Sequence, residues 1–402
     1  MYEQELVAYL KDFHSENCVI NIQTDVHHET ALRLITASDT LHDVFYVMNI
    51  GELNFRMLMW PTFLPDVTCY YDVSCNDHPT ILSLFATGPY GFSCSSKDDI
   101  TKVLTVGGKA GEILYSSREM KEEDLMFAKE SNVNLVVFKD KQDLILIRNY
   151  HPKANLLMKI TIDDVNKLIN TIIPDLLSTV ECLQLNLVGV SFDLGTKRAD
   201  PRMFTRVVEI LSQATRALNQ NGINPTLVDL GTGIMTDTME ETRRRLSGKL
   251  SKRIKFIAQS GHFFVDSIYT LATRIMRTDE GIYHIGGGTW DIFRPTSSPT
   301  PKELEPPEEG PKDLRPYNIW GTKCGEEILV AVNVQLPVLE ANSWLIWRDM
   351  GANTQQEWPG TDHVCPHECW HPPIYCISTP ESAKHSEGVK QKQARKQETE
   401  DS

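Results

Sequence analysis

Between residues 43 and 260, short apolar runs alternate with amphipathic stretches, and this alternation constrains the fold more than any other feature. Helical spacing is clear after Pro201, where Phe204, Val207, Val208 and Leu211 fall on one face. Strand-like runs that alternate with helices over this length predict a (β/α)8 barrel. The pattern offers about nine strand candidates, one more than the barrel requires, and leaves open which is surplus. The candidates are residues 43–49, 67–73, 91–94, 113–115, 135–138, 154–160, 187–192, 227–230 and 254–258.

The composition and the residue pattern of the chain change after about residue 268. Proline and charge dominate residues 294–316, which predicts an exposed loop, and β-rich runs separated by turn residues follow it. We therefore expect a barrel over residues 41–266 and an all-β domain over residues 267–380, and we expect the N-terminal segment 1–40 to join the β-domain. Residues 381–402 are polar and nearly free of apolar side chains, which predicts a disordered tail.

The composition excludes several classes of function. The chain has 402 residues and a net charge of -14, which argues against nucleic acid as a partner. No apolar run approaches the length needed to cross a bilayer, so we expect no membrane partner. Nine scattered cysteines and an acidic start without a secretory leader predict a cytoplasmic location.

Residues 70–77, with the sequence YYDVSCND, form the end of a predicted buried strand, where a barrel carries its catalytic groups. This stretch resembles the segment of the eukaryotic ornithine decarboxylase family that carries the cofactor lysine in the pattern Tyr-x-Val-Lys-Cys-Asn. The resemblance continues from residues 45–47 to residues 319–324 and 349–352. It implies an alanine racemase-like barrel that binds pyridoxal phosphate, a C-terminal β-domain, and a head-to-tail dimer with active sites at the interface.

The residues at the family's functional positions differ from the family pattern. Ser74 stands where the lysine forms an imine with pyridoxal phosphate, and a hydroxyl cannot form that bond. Gln259 replaces the acid that pairs with the ring nitrogen. Cys324 matches the proton-donating cysteine, but Gly325 replaces the neighbouring aspartate. The resemblance places the rest of a degenerate cofactor pocket at Asp193, Thr196, Gly231, Thr232, Gly233, Gly261, His262 and Asn353.

These combined losses favour a pseudoenzyme that needs no cofactor and has no catalytic residue. Such a pseudoenzyme resembles the antizyme inhibitors. These are decarboxylase-like proteins that raise polyamine synthesis, and hence putrescine, by sequestering antizyme. Residues 118–126 match the antizyme-facing helix but carry acids and methionines where the family has lysines, so we expect weakened antizyme binding. A homodimer, or a heterodimer with an ornithine decarboxylase-like chain, is the other implied assembly. The alternative is a pyridoxal-phosphate amino-acid decarboxylase with an altered substrate.

A second candidate site lies in the run from His363 to His371, where histidines and cysteines alternate. These are metal-ligating residue types, and in an extended chain they share one face. Their spacing matches no tetrahedral zinc pattern, and Pro366 interrupts the run. We therefore expect no metal site.

Overall fold

The computed structural model describes residues 19–23, 28–37, 42–161, 167–193, 201–234, 236–246, 253–288, 302–303, 313–323, 326–352 and 372–378. The described chain divides into two units. One contains the residues from Arg56 to Phe263, and the other contains those up to Phe55 and from Phe264 onward. The proline-rich loop is described only at residues 302–303 and 313–316. The C-terminal tail and the His363–His371 run lie outside the described residues.

The unit from Arg56 to Phe263 contains a closed barrel of eight parallel strands, which confirms the predicted barrel. Each strand pairs with its neighbour in the sequence, and the last pairs with the first. The barrel strands are β3 (Val67–Asp72), β4 (Gly91–Cys94), β5 (Ile113–Tyr115), β6 (Leu135–Phe138), β7 (Asn155–Ile160), β8 (Asn186–Phe192), β9 (Leu227–Asp229) and β10 (Lys255–Ser260).

Helices connect the barrel strands, and several begin at a polar capping residue. Ser96 accepts a hydrogen bond from the amide of Asp99, and Asp140 accepts bonds from the amides of Gln142 and Asp143. The α-helices of the described residues are α1 (His28–Ala37), α2 (Ile50–Phe63), α3 (Pro79–Thr87), α4 (Lys97–Thr105), α5 (Glu122–Glu130), α6 (Lys141–Tyr150), α7 (Ile173–Cys182), α8 (Pro201–Gln220), α9 (Thr236–Leu246) and the short α10 (His262–Val265).

The barrel interior is filled by side chains from successive strands. Leu114, Val137, Leu157 and Ile257 form a buried apolar cluster. Because side chains alternate along a strand, the residue two places further along points into the barrel as well. Polar side chains follow this apolar layer toward the carboxyl ends of the strands, where barrel proteins place their functional groups.

The second unit contains a nine-stranded mixed sheet, which confirms the predicted β-domain. Its strands are β1 (Val19–Gln23), β2 (Val44–Asn49), β11 (Tyr269–Asp279), β12 (Ile282–Gly288), β13 (Lys302–Glu303), β14 (Arg315–Lys323), β15 (Glu326–Leu336), β16 (Trp344–Trp347) and β17 (Ile374–Ser378). The main path of the sheet runs β1-β17-β2-β11-β12-β14-β15, and β16 pairs with both β11 and β13. Strand β2, counted above among the barrel candidates, pairs with β11 and β17 of this sheet and is therefore the surplus one.

Aromatic packing holds this sheet together. Phe45 of β2 makes edge-to-face contacts with Trp344 and Tyr375, at centroid distances of 5.2 and 5.3 Å.

Within the described residues, we find no helix with the length and apolar character needed to cross a membrane.

Candidate functional site at the barrel mouth

A layer of polar side chains lies at the carboxyl ends of the barrel strands. Gln259 lies two residues beyond Ile257 of the apolar cluster, and Lys159 lies two residues beyond Leu157, so both point into the barrel. Hydrogen bonds join Gln259 to Ser93 of β4 and to Asp229 of β9. The layer is therefore assembled from strands that are far apart in the sequence.

Asp229 is the centre of this layer. Its carboxylate accepts bonds from the Ser191 hydroxyl at 2.6 Å and from Gln259 Nε2 at 2.6 Å. The amide of Gly231 donates a third bond at 2.8 Å. Both polar groups of the Gln259 amide form hydrogen bonds, because Nε2 donates to Asp229 and Oε1 accepts a bond from the Ser93 hydroxyl at 2.7 Å. Neither polar group of this amide is left without a partner inside the protein.

The buried position of Asp229 determines its electrostatics. Its exposed fraction is zero, and burial raises the pKa of its carboxyl, although the bonds from Ser191, Gln259 and Gly231 and the charge of Lys159 act in the opposite direction. Our sequence analysis did not identify Asp229. An acidic residue that ends an apolar strand directly before a glycine turn was the available signal.

Ser74, which the sequence comparison with the family pattern predicts to replace the cofactor lysine, lies in a single 3-10 turn after β3. Its hydroxyl and its amide both donate to Oδ1 of Asp72, at 2.7 and 3.1 Å. Burial raises the pKa of the Asp72 carboxyl, while the two bonds from Ser74 oppose that rise. Ser74 therefore acts as a local partner of Asp72 and holds the turn that ends the strand.

The glycine turn after Asp229 has the backbone geometry that glycine permits. Gly231 and Gly233 have φ angles of +75° and +94°. A Cβ atom at residue 231 would collide with the carbonyl of Phe192. Thr232 lies between the two glycines, so residues 231–233 form a tight loop against the end of β8.

The other predicted residues are distributed as follows. Asp193 lies directly after β8, and its Oδ2 is 3.2 Å from Nζ of Lys159. Gly261 packs against the side chain of Cys75, and His262 begins the short helix α10 with an exposed side chain. Thr196, Cys324 and Asn353 lie outside the described residues.

The sequence of the barrel region matches a family model. The model for the pyridoxal-dependent decarboxylases, pyridoxal binding domain, matches residues 50–266, which is more than half of the chain. The chain belongs to the pyridoxal-dependent decarboxylase family.

Curated relatives of this decarboxylase-family chain cover most of its length. The ornithine decarboxylase of Schizosaccharomyces pombe is 27% identical over 343 residues, which are 78% of this chain and 79% of that protein. The ornithine decarboxylase of Mus musculus is 26% identical over 361 residues, which are 80% of this chain and 78% of that protein.

Solved structures share the fold. The arginine decarboxylase of Paramecium bursaria Chlorella virus matches with a TM-score of 0.73 and 22% identity, covering 87% of this chain and 100% of that one. The ornithine decarboxylase of Entamoeba histolytica matches with a TM-score of 0.66 and 20% identity, covering 87% of this chain and 98% of that one. At these identities the similarity establishes the architecture.

The family assignment corrects one expectation of the sequence analysis. We expected no cofactor, and that expectation is wrong: the matched domain is the pyridoxal binding domain of pyridoxal-dependent decarboxylases, which implies pyridoxal phosphate binding. The residues at two positions nevertheless do not fit the family's way of holding the group. Ser74 has no amine, and the amide of Gln259 is bonded to Asp229 and Ser93. Within the polar layer, Lys159 does supply an amine.

Proposed function

We propose that this decarboxylase-family chain is a cytoplasmic, catalytically inactive regulator of polyamine (putrescine) biosynthesis that acts through protein partners. The observation that carries the proposal is the arrangement of Ser74 and Gln259. Both residues form hydrogen bonds that serve the protein itself, Ser74 with Asp72 and Gln259 with Asp229 and Ser93. The groups that a decarboxylase of this family uses to attach the cofactor and to polarise its ring are replaced by structural contacts.

The cysteines of the described barrel agree with this inactive state and with a reducing compartment. Cys69, Cys75 and Cys94 are buried, and none of the three forms a disulfide. Burial raises the pKa of the thiols of Cys69 and Cys94, so neither offers a reactive thiolate.

The proposed absence of activity predicts no release of labelled carbon dioxide from ornithine by the purified chain with saturating pyridoxal phosphate. The relatives named ornithine decarboxylase make ornithine the substrate to test first, and arginine the second. An active ornithine decarboxylase in the same assay is the control. Turnover of about 1 per second or more would show that the chain is an enzyme, with the alternative function of a decarboxylase with altered substrate.

The surface that we expect to face antizyme includes helix α5 (Glu122–Glu130). Lys97 forms an ion pair with Glu123 at 2.8 Å, which partly neutralises this acid. Asp124 is buried and accepts bonds from the amide of Lys97 and from the Tyr115 hydroxyl. Asp124 is thus part of the core and contributes little to the surface. Glu119 and Glu122 are exposed and keep this surface acidic.

We therefore predict that the chain binds antizyme more weakly than an ornithine decarboxylase does, if that contact requires positive charge on this helix. Glu122→Lys should strengthen binding by about fivefold, corresponding to about 1 kcal/mol for one surface charge. Glu181→Lys, an exposed substitution on α7, is the matched control and should leave the affinity unchanged. Calorimetric titration at physiological salt measures all three proteins. Equal strengthening by both substitutions would place the binding surface elsewhere.

A further inference from the structure

Arg274 is an arginine that the β-domain holds largely out of solvent. It lies on β11, and its side chain is only 18% exposed. Ala272, two residues earlier on the same face of the strand, belongs to the buried cluster that includes Leu32 of helix α1. The neighbouring strand β16 places Trp344 in register with Arg274, and the guanidinium carbon lies 4.9 Å from the centroid of the tryptophan ring. This cation–π contact helps to fix a positive charge between the sheet and helix α1.

The hydrogen-bond donors of this guanidinium lack acceptors. Nε of Arg274 lies 3.6 Å from Oδ1 of Asp43, which is an ion pair but too long for a hydrogen bond, and Nε is buried without a hydrogen-bond partner. Within the part of the chain that the structure describes, no hydrogen bond joins Nη1 or Nη2 to another residue. A guanidinium that loses hydration without gaining acceptors is costly. The two Nη groups are therefore suited to an acceptor that comes from outside the chain.

A cavity of about 460 Å³ lies beside this guanidinium, and its volume is in the range of small-molecule sites, about 300–1,000 Å³. The hydroxyl of Thr36 is already used, because it donates to backbone carbonyls of its own helix. Arg274 and the exposed Asn342 are therefore the described side chains that can bind a polar group in the cavity, and the remaining walls are apolar. The described residues that line the cavity are Thr36, Ala37, Arg274, Asn342 and Trp344.

We propose that this cavity binds a small organic carboxylate, whose two oxygens accept hydrogen bonds from Nη1 and Nη2 of Arg274. A carboxylate matches the planar fork of a guanidinium, because two parallel N–H···O bonds can form. The apolar walls favour a ligand with a compact apolar body. The site lies in the β-domain and uses no residue of the barrel mouth, so it is independent of the proposed function.

The charges around the cavity favour a carboxylate over a phosphate. The described lining supplies one cation, and Asp43 offsets part of its charge. Helix α1 ends at Ala37, and the carbonyl end of a helix disfavours additional negative charge. Phosphate sites are instead usually built from several backbone N–H groups or at the amino end of a helix. A singly charged anion is therefore the better match.

The test uses the full chain and 4-fluorobenzoate as the probe, followed by fluorine NMR. We expect saturable broadening of the fluorine signal with a dissociation constant of about 1 mM or below. Arg274→Gln should weaken binding by about tenfold, which is the effect of losing one charge-assisted pair. Arg274→Lys keeps the charge but loses the planar fork, so it should weaken binding by about threefold. Urea unfolding establishes that both variants are folded.

Arg277→Gln is the matched control. Arg277 lies on the same strand, but its side chain is exposed and forms ion pairs with Asp279 and Glu327. This variant should bind the probe as the unsubstituted chain does. Unlabelled benzoate should displace the probe, whereas benzamide, which has the same shape without the charge, and inorganic phosphate should not. Absence of saturable binding up to about 10 mM, unchanged binding by both Arg274 variants, or displacement by benzamide or phosphate as effective as that by benzoate would overturn the inference.

Discussion

The Ser74→Lys variant is expected to release carbon dioxide from ornithine at least about a hundredfold more slowly than a working decarboxylase, because one missing electrostatic partner alone costs on the order of 3 kcal/mol of transition-state stabilisation. The substitution restores an amine at residue 74. It does not change Gln259, whose amide cannot hold a proton on the ring nitrogen as a carboxylate does. The new lysine would also lie next to the half-buried Asp72 carboxyl, which now accepts the bonds from Ser74.

A second substitution, at residue 259, shows why decarboxylase activity is difficult to restore. Gln259→Glu would restore the family's acid, but it would place a second carboxyl about where Nε2 now lies, 2.6 Å from Oδ2 of Asp229. Two carboxyl groups at that separation cannot both ionise, so one of them would remain protonated. We therefore expect the double variant Ser74→Lys/Gln259→Glu to recover little activity, since groups that act as a unit are not restored one at a time.

The measurement is labelled carbon dioxide release by both variants with saturating pyridoxal phosphate, beside an active ornithine decarboxylase. The unsubstituted chain gives the background. Turnover of about 1 per second by Ser74→Lys alone would mean that Ser74 is the only serious defect of this pocket. That result would contradict the expectation that Gln259 also prevents catalysis, and would make the chain an enzyme that lost one residue.

Particular residues show how far the sequence could predict this molecule. The barrel followed from the spacing of apolar residues. The interpretation of Ser74 as a replaced lysine rests on the family pattern around it and stays a prediction. The identity of the surplus strand could not be predicted from the sequence, because β2 is as apolar as the barrel strands and only its pairing with β11 and β17 distinguishes it. Local periodicity carries no information about such long-range pairing.

The polar layer could not be predicted either, because it also depends on long-range pairing of strands. Ser93 and Gln259 bond across 166 residues of sequence, and Gln259 and Asp229 across 30. In the sequence, Ser93 and Asp229 each look like an ordinary strand position. The interpretation of Gln259 as a lost acid was therefore incomplete, since the structure gives its amide a role of its own in holding Asp229. Lys159 was missed because a single lysine ending a strand is usually exposed.

The stability of the barrel is expected to depend strongly on Asp229. Asp229→Ala should lower the free energy of unfolding by at least about 3 kcal/mol, because it leaves three buried donors, the Ser191 hydroxyl, the Gly231 amide and Gln259 Nε2, without this acceptor, at about 1–3 kcal/mol each. Asp175→Asn is the control. That carboxylate is exposed and pairs with Lys141, so its loss should cost less than about 1 kcal/mol. Urea unfolding of both variants measures the difference.

The pH dependence of this stability gives a sharper test through Asp229→Asn, which keeps the shape of the side chain. The folded pKa of Asp229 is raised by burial above its unfolded value of about 3.9, so the folded chain binds a proton more readily than the unfolded chain does. Stability from this residue is therefore fully present below about pH 4 and declines as the pH rises through the folded pKa. The asparagine variant lacks this titration, so its stability deficit should be larger at about pH 5 than at about pH 7.5. A deficit that grows toward neutral pH would show instead that the three hydrogen bonds and Lys159 outweigh burial, and that Asp229 is held ionised in the folded barrel.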